Sequence, residues 1–148
     1  MKKIGEFAVN KGTPFALNLS AVFVVQFFAD QVKETLKNCD LVFCNEDEAD
    51  AVVEKFECGN REGAAKFLAS FEKVAGADGN MKPRVVVITQ GAQPTIELVS
   101  VDPINPETIV DTNGAGDSFV GAFLASLNAN SSIVDAVKAG NALAGQVI

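Results

Sequence analysis

Short apolar runs alternate with amphipathic stretches along most of the chain. Residues 14–19 (Pro-Phe-Ala-Leu-Asn-Leu), bounded by Gly12 and Ser20, have the pattern of a buried strand. In residues 21–37, Val24, Phe27, Phe28, Val32 and Leu36 recur at steps of three and four, and Asp30, Lys33, Glu34 and Lys37 fall between them. That spacing predicts one amphipathic helix of about four turns. Residues 40–44 repeat the short apolar run, and Asn45, Glu46, Asp47 and Glu48 open a second helix whose acidic first turn suits the helix dipole. A third helix is expected over 61–75, with Ala64, Phe67, Leu68, Phe71 and Val74 on one face, followed by a loop over 76–83. The β-branched run Val85, Val86, Val87, Ile88 predicts a buried strand ending at Thr89, Gln90 and Gly91, with a hairpin partner over 95–101.

A short strand is expected over 108–110, then a helix with Phe119, Phe123, Leu124 and Leu127 on its apolar face. The last element starts near Ser131 or Ser132 and carries Ile133, Val137, Leu143 and Val147, with no C-cap glycine, basic last turn or following proline. Strands alternating with helices predict an α/β fold with a mostly parallel sheet covered on both faces. The abrupt first strand and the uncapped last helix lead us to expect truncation at one or both ends. No internal repeat, low-complexity tract or linker interrupts the pattern.

Composition narrows the functional classes. With 148 residues and 48% apolar content the chain suits one globular domain. Twelve basic against nineteen acidic residues give a net charge of −7, with the basic residues scattered, which argues against sequence-general nucleic-acid binding. The absence of His removes common zinc spacings and every His-dependent catalytic arrangement, and Cys39, Cys44 and Cys58 form no C-x-x-C pair. A reducing compartment is expected, and neither a signal peptide nor a membrane-length apolar run is seen, which places the chain in the cytosol, with the nucleus as a second location. Two N-x-S sequons, at Asn18 and Asn130, carry little weight in such a context. Phe23, Phe27, Phe28, Phe67 and Phe71 are expected in the core, and Asp47, Asp50 and Glu54 on a solvated face. The cysteines read as small buried hydrophobes, with Cys58 the candidate for exposure.

Most chemical information lies in residues 111–119, Asp-Thr-Asn-Gly-Ala-Gly-Asp-Ser-Phe. Gly114 and Gly116 allow close backbone approach, and the following helix would point its N–H groups at an anion such as phosphate. Asp117 would repel a bound polyanion but serves as a general base toward an attacking hydroxyl. The alternative is a strand-to-helix turn shaped by the two glycines and capped by Asp117. Phe119 stands where a dinucleotide fingerprint needs glycine, and no G-K-[ST] sequence exists for a Walker loop.

Residues 111–119 resemble the C-terminal signature of the ribokinase-like (PfkB) kinases, which phosphorylate sugar or nucleoside hydroxyls with ATP. Asn18-Leu19-Ser20-Ala21, Asn45-x-x-Glu48, Thr89-Gln90-Gly91 and Ala139-Gly140-Asn141 agree in order and spacing. Within the family, Asn113, the stretch Val120-Gly121-Ala122-Phe123-Leu124, and the Asn-Leu-Ser-Ala and Asn-Glu-x-Glu-Ala stretches are similar to the adenosine-kinase branch. Val22 departs from an expected proline, and Asn141 from a frequent histidine. The resemblance implies a three-layer αβα sandwich, incomplete here, with the N-terminal part and lid absent. Residues 1–148 would be the C-terminal ATP-binding and catalytic portion of the kinase domain.

The resemblance further implies Asp117 as catalytic base, with Gly114, Ala115 and Gly116 as the anion hole for the transferring phosphoryl group. Asn45 and Glu48 would help place the ATP phosphates and Mg2+, Glu48 through water; without the family they read as a helix N-cap with an acidic first turn. Asn18, Thr89, Gly91, Asn113 and Asn141 are the further nucleotide-side candidates, and Asp111 and Thr112 match a monovalent-cation loop of related sugar kinases. The implied reaction is ATP-dependent phosphorylation of the adenosine 5′-hydroxyl by the complete protein, a monomer whose partners are small molecules. The competing readings are another sugar or nucleoside kinase of the family, and a short module that binds nucleotide without transferring phosphate.

Overall fold

In the computed structural model, which describes residues 2–91 and 111–147, the chain divides into two units, Met1–Ile88 and Thr89–Ile148. The first is built on three parallel strands, β1 (Ala16–Asn18), β2 (Leu41–Cys44) and β3 (Val85–Ile88), in the order β1-β2-β3. Leu17, Val42 and Val86 stand in register across the sheet. All four residues of β2 are buried, which requires cover on both faces and explains why its sequence is apolar throughout rather than alternating. These strands lie where the apolar runs place them. The expected strands over 95–101 and 108–110 fall outside the described residues.

Parallel neighbours need crossovers, and helices supply them. The expected single helix over 21–37 is two, α2 (Val22–Phe27) and α3 (Ala29–Leu36), because Phe28 leaves the helical region at φ −121°, ψ 32°. The break resets the helical phase, so the buried residues are Val25, Val32, Thr35 and Leu36. Phe23, Phe27 and Phe28 are consequently exposed (55%, 75% and 47%), which corrects their expected place in the core. Phe28, Val24, Val32, Leu17 and Leu19 line an apolar groove of about 550 Å³. Phe67 and Phe71 are half-buried, with Phe67 stacked on Phe56 at 4.6 Å.

Before β1, Lys2–Lys11 forms a helix, α1, that apolar periodicity does not announce. Its buried residues are the small Gly5 and Ala8, while Ile4 and Phe7 face water. A methyl group on Gly5 would stand 2.8 Å from the Asn38 Cβ, so the missing side chain permits the helix to seat closely. Between β2 and β3 run α4 (Glu46–Phe56) and α5 (Arg61–Ser70). α5 ends five residues short of the expected 75: Phe71 turns out at φ −57°, ψ 143°, and Val74 is exposed.

The end of α5 lies against Arg84, a buried guanidinium directly before β3. The guanidinium donates to the carbonyls of Leu36, Cys39, Leu68, Phe71 and Glu72. Carbonyls at the ends of α3 and α5 lack intrahelical donors and carry the negative end of each dipole, so one cation satisfies two helix termini together. Asp40, beside it, accepts from the Phe15 N–H (2.9 Å) and from Lys73 Nζ (2.7 Å), while its carbonyl accepts the Val85 N–H (2.9 Å). These bonds tie the starts of the three strands.

In the second unit, α6 (Ala115–Asn128) and α7 (Ile133–Ala144) form a helical hairpin, as a four-residue connection favours. α6 buries Phe119 and Phe123, as its pattern predicts, and leaves Leu124 and Leu127 half-buried; α7 buries Ala136, Val137 and Gly140. α7 starts after the expected cap, with the Asp135 N–H bonded to Ser132 Oγ at 3.1 Å. It does not run uncapped to residue 147: it ends at Ala144 on Gly145, whose N–H bonds the Asn141 carbonyl, and Leu143 and Val147 are exposed.

Replacing Arg84 with Met keeps the volume but orphans several buried carbonyls, so Arg84→Met is expected to cost roughly 3 kcal/mol or more. Urea unfolding checks this, with Arg61→Ala, which removes an exposed bidentate pair to Asp50, shifting the midpoint far less.

Candidate functional site

Two groups of candidate residues take shape, one in each unit. In the first, Asn18 closes β1 and Asn45 follows β2, so they lie at the carboxyl ends of adjacent parallel strands, the edge where α/β sheets bind ligands. The Leu19 N–H continues the pairing to the Phe43 carbonyl at 3.0 Å. Ser20 then takes a left-handed conformation, φ 67°, that non-glycine residues seldom adopt. It is held there by its N–H to Asn18 Oδ1 (3.3 Å) and its Oγ to the Asn18 carbonyl (3.1 Å).

Asn45 and Glu48 form a reciprocal capping box on α4. The Glu48 N–H donates to Asn45 Oδ1 at 2.8 Å, and the Asn45 N–H donates to Glu48 Oε2 at 3.1 Å. Glu48 is 5% exposed, and burial raises its pKa above the usual carboxylate value. The Asn45 backbone N–H opposes that shift, Asp47 and Glu46 reinforce it, and the Ser20 backbone N–H opposes it weakly. Asn18 with Ser20, and Asn45 with Glu48, are two hydrogen-bonded pairs at the ends of adjacent strands. Burial also pushes the Cys44 thiol up to about 12, with Glu48 adding to it, so this cysteine is no thiolate nucleophile at neutral pH. Cys39 is buried and likewise raised to about 12 by burial, and Cys58 is half-buried.

In the second unit, Thr89 and Gly91 directly follow β3 in sequence, with Gly91 at φ 53°. Gly114 is the N-cap of α6 at φ 83°, a conformation glycine adopts without strain, and no side chain caps the helix. Asp117 occupies the third helical position, not the cap, and is exposed. The Ala115 N–H is directed at the Thr112 carbonyl (3.3 Å), and the Ser118 N–H at the Gly114 carbonyl (2.8 Å). Among the described residues, that leaves the amides of Gly116 and Asp117 as the outward donors of the first turn. Asp111 shapes the approach, accepting the Asn113 N–H (2.9 Å) and Nδ2 (3.2 Å). Asn141 lies on α7, its Nδ2 buried without a hydrogen-bond partner among the described residues.

The described residues contain no cluster of three or more acidic, Cys or His side chains able to hold a metal, and no helix long and apolar enough to cross a membrane. Glu48 is the acidic candidate, and its inward, hydrogen-bonded carboxylate suits contact with a hydrated cation through water better than direct ligation.

Residues 1–148 match the family described as pfkB family carbohydrate kinase. The chain is similar to the adenosine kinase of Dictyostelium discoideum, 37% identical over 153 residues, covering 98% of this chain and 44% of that protein. Among solved structures, Anopheles gambiae adenosine kinase in complex with P1,P4-di(adenosine-5) tetraphosphate superposes with TM-score 0.86 at 33% identity, over 99% of this chain and 45% of that one. Adenosine kinase from Schistosoma mansoni in complex with 2-fluoroadenosine gives TM-score 0.89 at 29% identity, over 99% and 45%. The chain thus spans less than half the length of each of these relatives.

The raised Glu48 pKa sets a sign. A carboxyl that binds its proton more tightly folded than unfolded contributes stability at low pH that is lost as pH rises through the folded pKa. Glu48→Gln retains the capping box and removes the titration. Its stability relative to the wild type, from urea unfolding between pH 7.5 and 5, should therefore be most favourable at pH 7.5 and decline as the solution is acidified.

Proposed function

Because this chain belongs to the pfkB family of carbohydrate kinases, we propose that the complete protein transfers the γ-phosphate of ATP to the 5′-hydroxyl of adenosine, giving AMP and ADP. The observation that carries the reading is the start of α6, where the amides of Gly116 and Asp117, with no partner among the described residues, sit beside an exposed Asp117 carboxylate at a helix N-terminus without a side-chain cap. The similarity to adenosine kinases from several organisms supports adenosine as acceptor.

In this mechanism Asp117 takes the proton of the 5′-hydroxyl as its oxygen attacks the γ-phosphorus, and the bond to the β–γ bridging oxygen breaks with release of ADP. On the turn shaped by Gly114 and Ala115, the fixed amides of Gly116 and Asp117 stabilise charge on the phosphoryl oxygens without reorganising. The family likeness makes Asn113, Thr89, Gly91 and Asn141 the nucleotide-side candidates of the second unit, and Asn18 and Asn45 those of the first. Mg2+, when bound, neutralises charge on the phosphates, and Glu48 would hold it through water.

Asp117→Asn in the complete protein is expected to lower kcat by about 10²–10⁴, and a steady-state assay showing less than about a tenfold loss contradicts the general-base role. Parallel assays with adenosine, inosine and ribose should favour adenosine; a preference for ribose overturns the acceptor.

Since the chain spans under half of its relatives, a second reading applies to the 148 residues by themselves: they bind Mg-ATP without forming AMP. Calorimetric Mg-ATP binding without product supports this reading, and adenosine turnover by the 148 residues alone excludes it.

A further inference from the structure

We propose that Gly140 is a positioning residue that sets the first turn of α6 by admitting the Phe119 ring against α7, an inference that rests on the phosphoryl-transfer reading of that turn. Gly140 is buried in the interior of α7, where glycine is a poor helix former and alanine is locally preferred. Its backbone is not in the left-handed region, so conformation does not demand glycine. Space does. A Cβ built on Gly140 would lie 2.7 Å from Cδ2 and Cε2 of Phe119 and 3.1 Å from Cγ. By contrast, Gly121, within α6, has no described residue within 4 Å of the same construction.

Phe119 is 3% exposed and stacked against Phe123 at 6.1 Å, so its ring cannot retreat outward without leaving the core. An added methyl group would instead push on the backbone of α6 two residues beyond Asp117. The hairpin brings the C-terminal half of α7 beside the start of α6, so this contact falls where the amides and carboxylate must be aimed. Catalytic geometry is intolerant of small displacements, with about 1 Å capable of costing about 10² in rate.

The test uses the complete kinase, with steady-state kinetics and melting curves for the wild type, Gly140→Ala, Phe119→Leu, the double variant and Gly121→Ala. Gly140→Ala is expected to lower kcat at least about tenfold, with KM for ATP and adenosine changed less than about threefold. Phe119→Leu should restore most of that loss when combined with it, and Gly121→Ala should retain wild-type turnover. A Gly140→Ala enzyme within about twofold of wild-type kcat, or a loss that Phe119→Leu does not recover, overturns the proposal. If Gly140→Ala alone does not fold, the double variant is compared with Phe119→Leu, and a further tenfold loss of kcat overturns it equally. A wild type that phosphorylates another acceptor overturns the adenosine reading but leaves this comparison to be made with that acceptor; a wild type without kinase activity overturns both.

Discussion

The first unit depends on one buried cation. Arg84 precedes β3 in sequence, yet its guanidinium reaches carbonyls that terminate α3 and α5 and the loops beyond them. A planar group with five donors can satisfy several carbonyl acceptors that lysine, with a compact ammonium, could not span. It lies where two helices stop and where the third strand begins. Asp40 and Lys73 extend the arrangement at the same edge of the sheet, leaving the opposite, carboxyl edge to the candidate ligand residues.

At that opposite edge, folding and chemistry use the same atoms. Asn45 and Glu48 cap α4 as any capping box would, and this satisfies orphan donors whether or not a ligand is bound. What separates Glu48 from an ordinary cap is its burial; at the end of the neighbouring strand, Asn18 holds the left-handed backbone of Ser20. The two readings of the Asn-x-x-Glu motif, helix cap and nucleotide-side residue, are therefore compatible in one geometry.

How much of this was legible follows from what each residue type announces. β2 is apolar throughout and β3 is β-branched throughout, and a buried parallel strand has few other ways to look. The Gly114 turn was readable because glycine at a helix start has few uses, whereas the helix starts earlier than its apolar face announces, so Asp117 stands inside the first turn and not at the cap. α1 escaped because its buried face is glycine and alanine, which leave no hydrophobic period. The Phe28 break escaped because spacing by three and four continues across it, although the helix does not, and so three phenylalanines were assigned to a core they do not enter. Arg84 was invisible for a different reason: its partners are backbone carbonyls distant in sequence, and no pattern of side chains records them.

The outward-facing phenylalanines also give the acidity a task. Phe7, Phe23, Phe27 and Phe28 expose between 47% and 75% of their area in one 88-residue unit, a surface that favours self-association. Mutual repulsion from a net charge of −7 opposes it near neutral pH, and that repulsion vanishes at the isoelectric point of about 4.5. Carboxylate ionisation therefore sets the repulsion between copies of the 148 residues, and that repulsion weakens as the solution approaches pH 4.5.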